Sequence, residues 1–333
     1  MSSRLGVSYI AIGFLCFARA HAVEQVVVCC SMKEDVAQSV SEHFEKETGT
    51  PVKLLQINTQ AASDERRLVT EKSRSGVDVF WSSDLVAASV LKSEGLAVPY
   101  ESPNSKEVPS IYSDPEHYWT SFPHQVRVFV YNKNLLVDPD EVPTSVFDMI
   151  NPRFNGRVCL ANPLTGTTSL HAAALFQVLG QDMAEIFFSG LHTNKITMVP
   201  SNVDVVNRVA AGEFAFGVAD SDDFESAVKE GKPVGVVFPD QQSLGTLILP
   251  SALVLMANAP NPEQGKRFID FLIRSQIQKL LGSSPSRDSE AAADRHIPAV
   301  NKIKAMQVDY VRLVPQAKEL SRGFLKDWVS RQE

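Results

Sequence analysis

Two stretches of this chain gather side chains suited to holding a small charged molecule. Asn162-Pro163-Leu164-Thr165-Gly166-Thr167-Thr168-Ser169 runs from an expected strand into a helix expected from about Ser169. A helix start offers unpaired backbone N–H groups and the positive end of the helix dipole, which together suit an anion. Thr165, Thr167 and Thr168, around Gly166, add hydroxyl donors. The same residues are also good helix caps and turn formers, which is an equally simple account of them. The stretch is no Walker loop, because no lysine follows the glycine at the required place. The second stretch is Asp220-Ser221-Asp222-Asp223. Three carboxylates within four residues repel one another and invite a cation or a hydrogen-bond donor between them. Acidic residues also favour a helix N-terminus, and Phe224, Ala227 and Val228 continue at helical spacing.

Asp84, behind Ser82 and Ser83 at an expected strand end, and Asn202, just ahead of a helix, each face the choice between cleft ligand and helix cap. Asp84, Asp220 and Asp222 form the candidate metal-ligand set. Ser31, directly after the first expected strand, joins the candidate ligand-binding residues. The histidines at positions 21, 43, 117, 124, 171, 192 and 296 have no metal spacing, and His171 lies on an Ala-rich helix face that suits a structural role. Gly-x-Ser-x-Gly, His-Glu-x-x-His and cysteine–histidine pairings are missing, so hydrolytic chemistry has no support, and neither an enzymatic role nor a required cofactor is expected.

These residues must be positioned by strands and helices that alternate. Val26-Val27-Val28-Cys29-Cys30 is a continuous apolar run, expected of a strand buried on both faces. Val36, Val40 and Phe44 then recur at helical spacing, with Gly49 as a C-cap before Pro51. Strands are expected at 52–55 and 77–81, with a helix over 64–73 between them. Alternation of this kind predicts a mostly parallel sheet covered on both faces, with ligands beyond the carboxyl ends of its strands. The segments to watch are therefore Ser31-Met32, Asn58 to Ala62, and Ser82 to Asp84. A second alternating region runs from Arg157 to Phe238, with helices over 169–179, 182–191 and 204–211 and a strand over 214–218. Gln125 to Asn132, which carries Arg127, and Thr246 to Met256 connect the two regions, and two crossings describe a hinge. Beyond Pro262 the pattern is helical, through Phe268, Phe271, Leu272, Leu280 and Leu281, with a polar loop at 283–293. The expected division is 1–22 as a signal peptide, 23–124 with 247–333 as a first lobe, and 125–246 as a second.

The signal-peptide reading rests on Arg4, the apolar run Leu5 to Phe17 and the cleavage site Ala20-His21-Ala22. Cys16 is not preceded by the small residue that a lipidated cysteine needs. The apolar run is too short to span a bilayer, so the mature chain is expected to be periplasmic. A formal charge of −7 with no basic block argues against nucleic acid as a partner. Cys29, Cys30 and Cys159 match no zinc spacing and read as small buried residues, with Cys29 and Cys30 on opposite strand faces.

Taken together, the chain resembles the type II periplasmic solute-binding proteins of ABC importers, in the ferric-iron-binding branch. The resemblance is carried by Phe44-Glu45-Lys46-Glu47-Thr48-Gly49, Val77-Asp78-Val79-Phe80-Trp81, Gly95 to Tyr100, Tyr118-Trp119-Thr120, Val130-Tyr131-Asn132 and Asn151 to Arg157, and later by Pro239-Asp240-Gln241 and Gly245-Thr246-Leu247. It implies a monomeric, two-lobed α/β Venus flytrap with a two-stranded hinge. Closure on a small molecule or metal would be followed by docking on an inner-membrane ABC permease with its ATPase. By the resemblance, the cargo is iron(III) with a synergistic anion. The histidine and paired tyrosines that ferric-binding relatives use are not at the corresponding places, which here hold Met32 and the run Asp220 to Asp223. A small organic or phosphorus-containing anion is the competing cargo, its negative end on the Thr165 loop and any amine on Asp220 or Asp222. A sensor subunit using the same closure is a further alternative.

Overall fold

The computed structural model describes residues 25–57, 76–83, 85–107, 110–121, 123–277 and 302–331. The expected signal peptide, Asn58 to Ala62, the helix over 64–73, Asp84, Leu280, Leu281 and the polar loop over 283–293 lie outside the described residues.

The first sheet has the order β2-β1-β3-β11-β4. Its strand β1 (Val26–Cys30) is buried throughout, as a five-residue apolar run between two neighbours should be. It pairs in parallel with β2 (Val52–Gln56) and β3 (Val79–Ser82). Helix α1 (Glu34–Thr48) turns Ala37, Val40 and Phe44 onto the sheet and stops at Gly49, whose φ of 70° only glycine adopts cheaply. Phe44 packs edge-on against Phe268 and Phe271 of α7 (Pro262–Leu272), with ring centroids 5.1 and 5.3 Å away. Burying each such ring contributes roughly 1.5–3 kcal/mol. Helix α2 (Leu85–Ser93) leads into β4 (Ala97–Val98).

The second sheet has the order β10-β5-β8-β6-β7, with β9 (Val234–Val237) also on β5. Strands β6 (Val158–Ala161), β7 (Thr197–Val199) and β8 (Phe216–Asp220) are parallel. Between them run α3 (Gly166–Leu179), α4 (Gln181–Thr193) and α5 (Asn202–Ala210), and α6 (Ser221–Lys229) follows β8. Both sheets are mixed rather than mostly parallel. The antiparallel pairs come from β4 and β9 and from the crossing strands, β5 (Pro123–Asn132), β10 (Ile248–Pro250) and β11 (Ala252–Met256). The two crossings run side by side. Leu253 exchanges backbone hydrogen bonds with Thr120 on the first-sheet side, and Leu249 pairs with Gln125 on the other. This is the geometry of a two-stranded hinge.

The chain continues into the C-terminal helices α8 (Tyr310–Arg322) and α9 (Phe324–Ser330), and Tyr310 at the start of α8 packs on Tyr112 with ring centroids 5.4 Å apart. Phe324 packs on Phe176 and Phe188, and Trp328 donates its indole N–H to the Phe188 carbonyl at 2.7 Å, so α9 lies on α3 and α4, while α8 packs on α3 and also touches α2. Among the described residues no helix is long and apolar enough to cross a membrane.

Candidate functional site

The antiparallel register of β5 and β8 places Arg127 directly opposite Asp220. Arg127 is fully buried, and its Nη1 donates to Asp220 Oδ1 at 2.7 Å and to Thr167 Oγ1 at 2.9 Å. Its Nη2 reaches Thr168 Oγ1 at 3.3 Å. Asp220 also accepts at Oδ2 from Thr167 Oγ1 at 2.8 Å and from Asn202 Nδ2 at 3.0 Å, and Asn202 Nδ2 reaches Thr167 Oγ1 at 2.9 Å. Four of the residues singled out in the sequence, the buried Thr168 and Asp220 and the half-buried Thr167 and Asn202, thus form one network around a buried arginine. A buried ion pair needs such extra donors to offset its desolvation. Burial pushes the Asp220 carboxyl above its ordinary value, against the opposing pull of Arg127. His171, one turn further along α3, is held down to about 3 by burial, with the Arg127 charge adding to the effect.

Details of the network differ from expectation. Asp220 is both the last residue of β8 and the N-cap of α6, but its side chain makes no capping bond and is committed to Arg127 instead. Asn202 is no cap: Ser201 caps α5 by accepting from the Asp204 N–H, which frees the Asn202 amide to turn inward. Arg127, by sequence only a charge within an apolar run, is the centre of the network.

Helix α3 begins at the edge of this network without a side-chain cap. Its first residue, Gly166, has φ +61°, a left-handed conformation that L side chains rarely adopt, and nothing lies within 4 Å of where a Cβ would stand. Thr165 and Gly166 are exposed and Thr167 half-buried. The opening turn is therefore a set of backbone donors at the surface of the second sheet's ligand end, set against the Arg127 charge.

Carboxylate oxygens of Asp220, Asp222 and Asp223 lie within 4.8 Å of one another. Asp222 accepts from Gln125 Nε2 at 3.3 Å and meets Lys33 Nζ at 2.8 Å. Lys33 is a functional candidate that sequence reasoning missed. It follows β1, so its bond to Asp222 spans the gap between the two sheets. Burial alone would depress its ammonium, but Asp222, with Asp223 and Asp35, lifts it above the ordinary lysine value. Burial and the neighbouring Asp222 and Asp220 charges push Asp223 up to about 7. On the first-sheet side Ser31 Oγ accepts from the Ser83 N–H at 3.0 Å, tying the tips of β1 and β3 together.

A cavity of about 790 Å³ lies elsewhere, between residues 100–120 and the start of α8. Polar groups on its wall serve the fold: Asp114 is paired with Lys92 at 2.8 Å, and the Tyr310 hydroxyl donates to the Ile248 carbonyl at 2.6 Å.

Residues 39–298 match the bacterial extracellular solute-binding proteins. The chain belongs to this family. Family members are binding proteins, not enzymes, and the fold agrees with solved relatives. The chain is similar to an iron uptake protein A1 of Synechocystis, 27% identical with 72% of this chain and 69% of that one covered. It is also similar to the major ferric iron-binding protein of Neisseria meningitidis, 23% identical with 84% of each chain covered. Ferric iron-binding protein A of Mannheimia haemolytica, in an open conformation, superposes with a TM-score of 0.78 at 18% identity, over 93% of this chain and 99% of that one. The periplasmic binding protein AfuA of Actinobacillus pleuropneumoniae, with fructose-6-phosphate bound, gives 0.69 at 20% identity, over 92% and 98%. The fold is shared with a protein named for ferric iron and with one that holds fructose-6-phosphate, so cargo must be argued from this chain's own residues.

Proposed function

We propose that this protein is the monomeric, periplasmic solute-binding component of an ABC importer, exported by its first 22 residues, and that it delivers a small anionic solute to an inner-membrane permease and its ATPase. The first lobe comprises 23–124 and continues from 247, and the second comprises 125–246 with α8 and α9 packed on it. The reading is carried by the uncapped start of α3. Its free N–H groups at Gly166 to Thr168 and the Arg127 charge behind them suit a carboxylate or phosphorus-based anion, whose other end would meet Asp222 and Lys33. Ser31, Asp84 and Asn202 complete the proposed lining. Closure follows if the solute touches both lobes, because only differential affinity shifts the open–closed balance.

Iron(III) held with an anion is the second reading. It draws on the three carboxylates within 4.8 Å and on the iron-binding names of the relatives. Hard oxygen donors suit such a cation, but Asp220 and Asp222 already face Arg127 and Lys33. Both readings put an anion on α3. Native mass spectrometry of the purified protein distinguishes them by the mass of what co-purifies. Calorimetry then tests the site: Thr167→Pro and Asp222→Ala should weaken binding of that solute in a folded protein, and unchanged affinity in both would remove the assignment.

A further inference from the structure

Lys33 reaches across the interlobe gap to a carboxylate cluster that is otherwise built by one lobe. Its backbone belongs to the first sheet's half, directly ahead of α1, whereas Asp222 and Asp223 lie in the first turn of α6 in the other half. Nζ stands 2.8 Å from Asp222 Oδ2, and Gln125 Nε2 approaches Oδ1 of the same carboxylate. The lysine side chain is 51% exposed, so it enters this contact from solvent and is free to leave it. A metal ion bound by the three aspartates would stand where the ammonium now stands, or within a few ångströms of it. It would then have to evict Lys33, breaking the interlobe contact, or accept a like charge at contact range. At about 4 Å and an effective dielectric near 20, that repulsion is several times thermal energy before salt screening.

We propose that Lys33 is the built-in counter-cation of the Asp220–Asp222–Asp223 cluster and a specificity-determining residue, one that bridges the lobes, keeps free metal ions off the carboxylates and reserves the cleft for solutes carrying an anion. The proposal rests on the anion reading above. A lysine suits the task because its ammonium is a compact point charge on a flexible stem. The deeper Arg127, locked in its network, neutralises Asp220 permanently.

The test uses the full mature protein and its Lys33→Met and Lys33→Arg variants, titrated calorimetrically with manganese(II) chloride alone at fixed ionic strength, with X-ray scattering of the ligand-free forms. Lys33→Met should bind manganese(II) at least about tenfold more tightly than the wild type, and its ligand-free form should show a larger radius of gyration. Lys33→Arg should stay close to wild type in both measurements. A Lys33→Met protein that binds manganese(II) no more tightly than wild type overturns the proposal, as does a wild type that binds it as well as the variant. Titration of Thr167→Pro with inorganic phosphate is scored separately. Unchanged phosphate binding there would defeat the anion reading without altering the manganese result.

Discussion

Replacing Arg127 with methionine leaves Asp220 buried with its principal partner gone. At 2.7 Å and an effective dielectric near 20 the gross attraction is about 6 kcal/mol, most of which offsets the desolvation of both groups. Removing one partner is therefore far costlier than removing both, about 3–5 kcal/mol, because the remaining carboxylate sits at 5% exposure. Thr167 and Asn202 still donate to it, which places the expected loss at the lower end of that range. Urea unfolding followed by circular dichroism measures the loss, and the double variant Arg127→Met with Asp220→Asn should recover at least about half of it. The pH dependence has a definite sign. Without Arg127 the Asp220 carboxyl titrates still higher in the fold than in the unfolded chain, where it titrates near 4. The fold then holds the proton more tightly, so the penalty grows as pH rises above about 4 and is smaller at pH 5 than at pH 8. An Arg127→Met protein as stable as wild type at pH 8, or a double variant no better than the single one, would refute this account of the network.

Two further outcomes follow from buried groups. His171 stays neutral in the fold down to about 3, whereas unfolded chains protonate histidine near 6.5, so it withdraws stability as pH falls through that window; His171→Leu should flatten the acid limb of a stability profile, and an unchanged limb would contradict the assignment. A methyl group at Gly217 would lie 2.5 Å from Val205 Cγ1 and 2.7 Å from the Cys159 carbonyl oxygen, so Gly217→Ala should cost about 1–3 kcal/mol; an unshifted denaturation midpoint would rule out that close packing.

Local features of the chain were legible wherever one element decides its own form. The apolar run Val26 to Cys30 became a buried strand, and Val36, Val40 and Phe44 became the inner face of α1, since hydrophobic periodicity reports directly on burial. The expected strand over 214–218 was displaced to 216–220, because Asp220 is polar and yet extends the ladder opposite Arg127. No single-strand pattern can reveal a charge made acceptable by a neighbouring strand. Asn202 was placed by its adjacency to a helix, but Ser201 took the capping role, a choice that turns on one residue of register. Lys33 carried no local signal, since its partner lies 189 positions away, on the far lobe. The C-terminal helices showed their amphipathic pattern but not their neighbours, because Phe324 and Trp328 meet Phe176 and Phe188 across more than 130 positions of chain.

The most direct measurement is a crystal structure of the protein with its co-purified solute. The account predicts density for an anionic group against the N–H groups of Gly166 to Thr168, with the remainder of the molecule extending toward Asp222 and Lys33 and both lobes closed on it. Density in the cavity beside Tyr112 and Tyr310, with the start of α3 bare and the lobes apart, would contradict it.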